Sequence, residues 1–348
     1  MLYSVSNIAE SDVRLTPFYT AFRAKVDAVS GLSAEEKETL LQAAEKEIDD
    51  SVLPGFQALA QALEHQQSIA ADDEGVWKFS DGAEYYAYTL RHHTTLDQTA
   101  DEIHELGLRE LERIHAEMCA IFNELGYPQN ADLPQLIGRV VEDSGTYSGD
   151  DVAAAYEALI AVASEKAGAA FDLQPKADVT VEAEPAGDYY NPPTIDRSRP
   201  GVFYAKVTGS KERLAMPTLA YHEAVPGHHF QIAIAQELPL PTLRKGMQFT
   251  AYVEGWALYA ERLAYELGFY EGDPYGNIGR LQAEAFRAAR LVVDTGIHAK
   301  KWNYDQAVDF MVENTGLPRE MVETEVARYL VWPGQATAYE IGMLKILE

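Results

Sequence analysis

The sequence predicts a mainly α-helical protein with many helices and one small β element near its middle. Two capping boxes, Ser33 with Glu36 and Thr99 with Glu102, indicate helix N-termini, because each hydroxyl and carboxylate can satisfy the other residue's backbone N–H. Both are followed by apolar residues at helical spacing. Residues 173–207 break this pattern, since prolines and glycines there separate short β-like runs. A helical fold with a small β insert is therefore expected.

The remaining elements follow from the same patterns in chain order. Apolar residues at helical spacing predict further helices near 55–65, 82–92, 132–142, 150–170, 214–235, 248–268, 275–300, 304–314 and 318–330. Residues 179–183 and 201–205 alternate or cluster like short strands. We find no internal repeat and no low-complexity linker. The prediction is one helical region over 1–348, with a β and loop insert at 173–207.

Composition restricts the classes of partner. The 348 residues are 47% hydrophobic, which is enough for a large core. The net charge of −27 argues against nucleic acid and against anionic membranes, because phosphate binding relies on Lys and Arg. The single Cys119 excludes an internal disulfide. Since no targeting segment or long apolar span is visible, a cytoplasmic protein is predicted, with no indication of its oligomeric state.

Three of the nine histidines lie within eight residues, at His222, His228 and His229, and Glu223 directly follows the first. Neutral imidazoles bind a metal ion, and a neighbouring carboxylate can accept a proton from water. This combination is typical of hydrolytic zinc sites. It predicts one zinc ion, with Glu223 as the general base.

The spacing of these histidines differs from the usual His-Glu-x-x-His, in which both imidazoles share one helical face. Six residues of unbroken helix would separate His222 from His228 by about 9 Å along the axis. Pro226 interrupts the helical hydrogen bonds, and Gly227 can adopt a positive φ, so we interpret the motif as expanded by a bulge. His228 is then the second ligand and His229 turns elsewhere, although the reverse order is also open.

The third ligand is expected on the next helix. Glu254 lies in an apolar run, where an unpaired carboxylate is costly, so something cationic should face it. Glu261 lies seven residues later on nearly the same face, and it could orient a ligand imidazole or serve as the alternate ligand. The competing interpretation is that either glutamate pairs with Arg262, Arg287 or Arg290.

Four sequence blocks make the chain resemble a large bacterial family, number 885 of the domains of unknown function. They are His-Glu-Ala-Val-Pro-Gly-His-His-x-Gln at 222–231, Glu-Gly-Trp-Ala-Leu-Tyr-x-Glu at 254–261, Arg-Leu-Val-Val-Asp-Thr-Gly-Ile-His at 290–298, and Pro-Gly-Gln-Ala-Thr-Ala-Tyr-Glu-Ile-Gly at 333–342. The resemblance runs from about residue 85 onward. It implies a gluzincin-like fold, similar to the carboxypeptidase Taq group, with two histidines and a glutamate on zinc.

The chain also departs from the carboxypeptidase Taq group. That group has an ungapped His-Glu-x-x-His and a His-Pro-Phe block, and this chain has neither. Exopeptidase specificity is therefore not implied. Members of the bacterial family are commonly longer at the N-terminus, so we expect a fragment that carries the catalytic half.

Hydrolysis also needs a donor opposite Glu223 for the charge that develops on the carbonyl oxygen. Tyr190, Tyr339 and His298 are the candidates, and His298 lies inside one of the matched family blocks.

The predicted function is that of a zinc peptidase acting on a peptide substrate. Its zinc is held by His222, His228 and Glu254. Two alternatives stay open, a non-catalytic metal- or peptide-binding protein on the same scaffold, and a hydrolase of a small non-peptide amide.

Overall fold

The computed structural model describes residues 2–71 and 73–348, with Asp150 described by its backbone alone. The chain divides into two compact units, Met1–Asp72 and Asp73–Glu348, where the sequence analysis treated it as one region. The fold is mainly α with small sheets, which confirms the predicted class. Within the described ranges, no helix is both long and apolar enough to cross a bilayer.

The first unit is a small group of helices. They are α1 (Leu2–Ala9), α2 (Pro17–Ala28), α3 (Ala34–Glu47) and α4 (Leu53–Ile69). The predicted capping box starts α3, because the backbone N–H of Ser33 donates to Glu36 at 2.8 Å and the Ser33 hydroxyl accepts from the Glu36 N–H. A wide helical turn joins α3 to α4. Tyr19, Ile48 and Leu53 form the core of this unit.

The second unit contains the remaining helices. They are α5 (Gly82–Thr94), α6 (Ala100–Glu124), α7 (Leu133–Ser144), α8 (Asp150–Ala170), α9 (Met216–Glu223), α10 (His228–Glu237), α11 (Thr242–Gly246), α12 (Thr250–Glu266), α13 (Pro274–His298), α14 (Tyr304–Thr315), α15 (Arg319–Val331) and α16 (Ala338–Leu347). Almost every residue of α13 is buried, so this helix forms the centre of the unit. Helix α6 packs along it at Gly107, where a Cβ would lie 2.8 Å from the Leu291 side chain.

The five strands form two small sheets beside the helices. They are β1 (Thr146–Ser148), β2 (Val179–Glu184), β3 (Tyr189–Asn191), β4 (Gly201–Lys206) and β5 (Ser210–Glu212). Strand β4 is central, parallel to β2 and antiparallel to β3, and β1 pairs antiparallel with β5. Phe203 and Ala205 of β4 share a core with residues of α8, α9 and α10. The predicted β element ahead of the histidine motif is therefore confirmed, and it packs against the helices that carry the motif.

Helices α12 and α16 touch backbone to backbone. A Cβ on Gly342 would lie 1.9 Å from the carbonyl oxygen of Ala251, and a Cβ on Gly255 would lie 2.5 Å from the Gly342 backbone. Only glycine permits such an approach. The position of α12, which carries Glu254 and Glu261, is therefore set by α16.

Candidate metal centre

The histidine motif lies on two helices and not on one. Helix α9 ends at Glu223 and α10 begins at His228, so the predicted single helix over 214–235 is wrong between residues 224 and 227. His222, Glu223 and His228 are 4%, 9% and 8% exposed. They are therefore buried groups presented by two helix ends that meet at a short loop.

Gly227 allows this loop because it has no side chain, and not because it adopts the predicted positive φ. Its φ is −80°, so the positive φ expected from the sequence is wrong. A Cβ there would lie 1.9 Å from the carbonyl oxygen of His222 and 2.3 Å from that of Tyr221. The peptide bond before Pro226 is cis, and the carbonyl of Pro226 accepts the indole N–H of Trp256 at 2.9 Å. The loop therefore folds back tightly onto the end of α9, and α12 holds it there.

Two imidazoles converge on one carboxylate oxygen. His222 Nε2 lies 3.5 Å and His228 Nε2 lies 3.3 Å from Oε2 of Glu254. Ligands of tetrahedral zinc, with bonds of about 2.0–2.1 Å, lie about 3.3–3.4 Å apart. The donor set also suits the ion, since two imidazoles and one carboxylate are common catalytic zinc ligands. His222, His228 and Glu254 are therefore a candidate ligand set for zinc, and the ion itself stays a prediction.

Glu261 fixes the orientation of His222. The Nδ1–H of His222 donates to Glu261 Oε1 at 2.8 Å, which leaves Nε2 facing Glu254. Oε2 of Glu261 accepts a hydrogen bond from the hydroxyl of Thr218. Nη2 of Arg287 lies 3.9 Å from Oε1 of the same glutamate. Glu261 is 1% exposed. It occupies the supporting position considered in the sequence analysis and not the alternate ligand position.

The charges of these groups are strongly coupled. Burial would lower the pKa of His222, but hydrogen bonds to Glu254 and Glu261 outweigh it and raise the pKa to about 9. Burial would likewise raise the pKa of Glu254, but the hydrogen bonds from His222 and His228 hold that pKa well below its usual value. Glu254 is therefore a carboxylate whose negative charge faces the two ring nitrogens.

His229 turns away from these ligands because both of its ring nitrogens are engaged. Its Nε2–H donates to the Ala177 carbonyl at 3.0 Å, and its Nδ1 accepts the Tyr190 hydroxyl at 2.8 Å. Gly201 makes room for this bond, because a Cβ there would lie 2.5 Å from the Tyr190 hydroxyl. Of the two orders left open by the sequence, the geometry favours His228 as the ligand.

Tyr190 is the sequence-predicted donor that lies beside the ligands. Its ring stacks on that of His228, with centroids 6.5 Å apart and planes 21° apart. Burial raises the pKa of its hydroxyl, so the group stays a proton donor at neutral pH. Strand β3 therefore places a donor next to the ligand set.

Glu223 lies close enough to His222 for its charge to contribute to the raised pKa of that imidazole. Burial raises the pKa of Tyr156, and the charges of Asp188 and Glu223 add to that effect; the Tyr156 hydroxyl has no hydrogen-bond partner within the described residues.

The other two predicted donors lie elsewhere. His298 accepts the Val76 N–H at Nδ1 (3.2 Å) and donates from Nε2 to the Tyr329 carbonyl (3.0 Å), so both nitrogens bind backbone. The ring of Tyr339 lies 4.7 Å from the Arg290 guanidinium. The structure does not bring either residue into the ligand cluster.

The sequence analysis missed two supporting residues. Thr218 lies four residues before His222 on α9 and bonds the same glutamate. Its i to i+4 spacing was a usable signal. Trp256 follows Glu254 by two residues, and its bond to Pro226 carries no sequence signal, since it depends on how α12 meets the loop.

Nearly the whole chain matches one bacterial family. A family model described as "Bacterial protein of unknown function (DUF885)" matches residues 4–348. The chain belongs to this family. The resemblance expected from residue 85 onward is thus confirmed and begins much earlier. No curated protein matches the sequence.

Two solved structures share the fold of this DUF885 chain. One, of a "putative lipoprotein" from Colwellia psychrerythraea, is 35% identical with a TM-score of 0.93, and the match covers 99% of this chain and 62% of that one. The other, of a "putative lipoprotein of unknown function" from Shewanella oneidensis, is 19% identical with a TM-score of 0.74. That match covers 100% of this chain and 66% of the other one. This chain therefore spans less than two thirds of either relative. Those descriptions concern the relatives, and the cytoplasmic location predicted above stays a prediction.

Proposed function

We propose that this DUF885 chain is a zinc-dependent peptidase. The observation that carries the proposal is the convergence of His222 Nε2 and His228 Nε2 on one oxygen of Glu254, at 3.5 and 3.3 Å. Two further features support it. Glu261 orients the first imidazole, as carboxylates commonly do for zinc ligands, and Glu223 directly follows His222 in the chain without belonging to the candidate ligand set.

The substrate class follows from the strand beside the ligands. Within the described ranges, β3 pairs with β4 alone, so its second edge can accept an extended backbone. The same strand carries Tyr190, which stacks on His228. An extended peptide bound along β3 would therefore pass the ligand set, which favours peptides over compact amides.

The roles of the residues follow from their positions. A zinc ion held by His222, His228 and Glu254 would supply a Lewis acid that lowers the pKa of water towards neutrality. Glu223 accepts the proton of the attacking water and returns it to the leaving amine. Tyr190 turns its hydroxyl from His229 to the carbonyl oxygen, where negative charge develops.

The proposal is tested by metal analysis and cleavage together. Purified protein should contain close to one equivalent of zinc. It should also cleave a mixed peptide library until a chelator is added, and regain activity with zinc. Zinc without cleavage of any peptide would favour a non-catalytic metal-binding role. Absence of zinc binding would contradict the proposal outright.

Replacing Glu261 with Gln should weaken zinc binding by about 10- to 100-fold, the usual cost of disturbing a ligand's supporting carboxylate. The amide can still accept from His222, but it carries no charge to hold the ring. A chelator competition titration measures the affinity. The matched control is Glu266→Gln on the same helix, where an exposed pair with Arg262 is lost and zinc affinity should not change. Equal affinity in both variants would show that Glu261 does not support the ligand.

Replacing Tyr190 with Phe should reduce kcat by about 10²- to 10³-fold, as the loss of one oxyanion donor does, while zinc content stays constant. The neighbouring Tyr189→Phe is the control, because its ring is exposed to solvent and stacks on Tyr204. Steady-state kinetics on one cleaved peptide measure both. If the two variants behave alike, the donor is another group.

A further inference from the structure

A second group of carboxylates meets at the junction of α6, α13 and α16. These helices contribute Glu110, Glu284 and Glu340, and one oxygen from each lies within 4.8 Å of the others. Glu284 is 2% exposed and Glu340 is 0% exposed. Neither oxygen of Glu340 has a hydrogen-bond partner among the described residues. Glu340 is thus a buried carboxylate that lies beside Glu110 and Glu284 and accepts no hydrogen bond from the described residues.

The neighbouring guanidiniums do not compensate this arrangement. Arg113 binds Glu110 at 2.8 Å and also binds Glu284, while Arg280 binds Glu284 at 3.0 Å. Neither donates to Glu340, and Arg287, whose charge also acts on Glu340, donates to the Ala283 carbonyl instead, so no guanidinium pairs directly with this carboxylate. Burying an uncompensated carboxylate is strongly unfavourable, so a missing positive charge is expected here.

The same guanidiniums are also engaged at the edge of the cluster. Arg113 lies 2.6 Å and Arg280 lies 3.8 Å from the two oxygens of Glu117. The Glu117 side chain is 45% exposed, so the buried excess of negative charge lies with Glu110, Glu284 and Glu340, where a bound cation would offset it.

The donor type indicates which cation fits. One oxygen from each glutamate lies within 4.8 Å of the others, so the three are close enough to reach one ion at the bond lengths of about 2.3–2.6 Å that calcium takes. The donors are all carboxylate oxygens, which hard cations prefer, whereas zinc and copper favour imidazole or thiolate. We propose that Glu110, Glu284 and Glu340 bind one hard divalent cation of the calcium and manganese class.

The cation would join three helices that are distant in sequence. Glu110 lies in the middle of α6, Glu284 on the central α13, and Glu340 in the first turn of α16. Because α16 sets the position of α12, the site stabilises the unit from outside the histidine cluster. The site depends on no residue of the proposed zinc centre, and its role is structural.

The experiment measures hard-cation binding directly. Chelator-treated wild type is titrated with Ca²⁺ by calorimetry and with Mn²⁺ by paramagnetic resonance, and its Tm is measured with and without each ion. We expect one site per chain and a Tm raised by the ion. Glu340→Gln should lose at least 10-fold in affinity and the ion-dependent rise in Tm. The exposed Glu112→Gln on α6 is the control and should bind as wild type does.

Two further variants keep the result decisive. Glu110→Gln changes a partly exposed ligand, so it tests the site even if Glu340→Gln fails to fold. His222→Ala should bind Ca²⁺ unchanged, which separates this site from the zinc proposal. The proposal is overturned if wild type binds neither ion at millimolar concentration, as it would if Glu340 instead carries a proton. It is equally overturned if both glutamine variants bind as wild type does.

Discussion

Glu223→Gln should lose peptide hydrolysis by about 10²- to 10⁴-fold while keeping its zinc, because the carboxylate acts on protons and not as a ligand. The amide fills nearly the same space at the end of α9, so His222 should stay in place. The measurements are kcat/KM on one cleaved peptide and zinc content by elemental analysis. This pairing separates proton transfer from metal binding in one variant.

Glu223→Asp provides the matched comparison. It keeps a carboxylate but withdraws it by one methylene, so activity should fall between those of wild type and the glutamine variant. The order of activities should be wild type, then Asp, then Gln, at equal zinc content. If the glutamine variant is as active as wild type, Glu223 is not the general base. If the glutamine variant loses its zinc, Glu223 instead supports the ligands structurally.

Gly227→Ala adds a single methyl group, and we expect that group to disrupt the proposed metal centre. The added Cβ would lie 1.9 Å from the His222 carbonyl oxygen, a backbone atom that cannot move without displacing a ligand. Either the end of α9 or the start of α10 must shift, so the two imidazoles no longer face one carboxylate oxygen. Zinc affinity should fall on the order of 100-fold or more, at or beyond the upper end of what disturbing a ligand's support costs.

The control for this substitution is Gly138→Ala in α7, where a Cβ meets nothing within 4 Å. That change should leave zinc affinity unchanged and slightly raise Tm, since alanine is the better helix former. Zinc titration and circular dichroism on both variants give the comparison. If Gly227→Ala binds zinc as tightly as its control, the loop between the helices does not position the ligands.

Local patterns were sufficient to predict most of the helices and to single out the three side chains that meet at the candidate metal centre. The capping boxes at Ser33 and Thr99 were found because a cap depends on residues three apart. His222, His228 and Glu254 were found because their chemistry is uncommon within apolar helices. Interactions between neighbours in the chain are those a sequence displays directly.

The incorrect predictions concern contacts that the sequence does not display directly. The break between α9 and α10 was interpreted as a bulge at positive φ, whereas Gly227 is required by a close approach to the previous turn. His298 was favoured because it lies in a matched block, yet its nitrogens bind the backbone of Val76 and Tyr329. The first error concerns a close backbone approach within one turn, and the second concerns contacts between segments far apart in the chain; residue periodicity records neither.

The carboxylate cluster was also absent from the sequence analysis for that reason. Glu110, Glu284 and Glu340 have the spacing of ordinary surface glutamates within their own helices. Their common environment arises only when α6, α13 and α16 meet. A buried acidic group of this kind is visible in the structure alone.

The contact of Gly255 with Gly342 has a consequence for how the protein is made. Ribosomes extend a chain by about 5–20 residues per second, so α12 emerges several seconds before α16 exists. During that interval the nascent chain already holds both histidines and Glu254, but it lacks the helix that fixes α12 in place. Assembly of the candidate metal centre therefore waits for the synthesis of residues 338–347, and a ribosome stalled before residue 338 would display these side chains without the helix that holds α12.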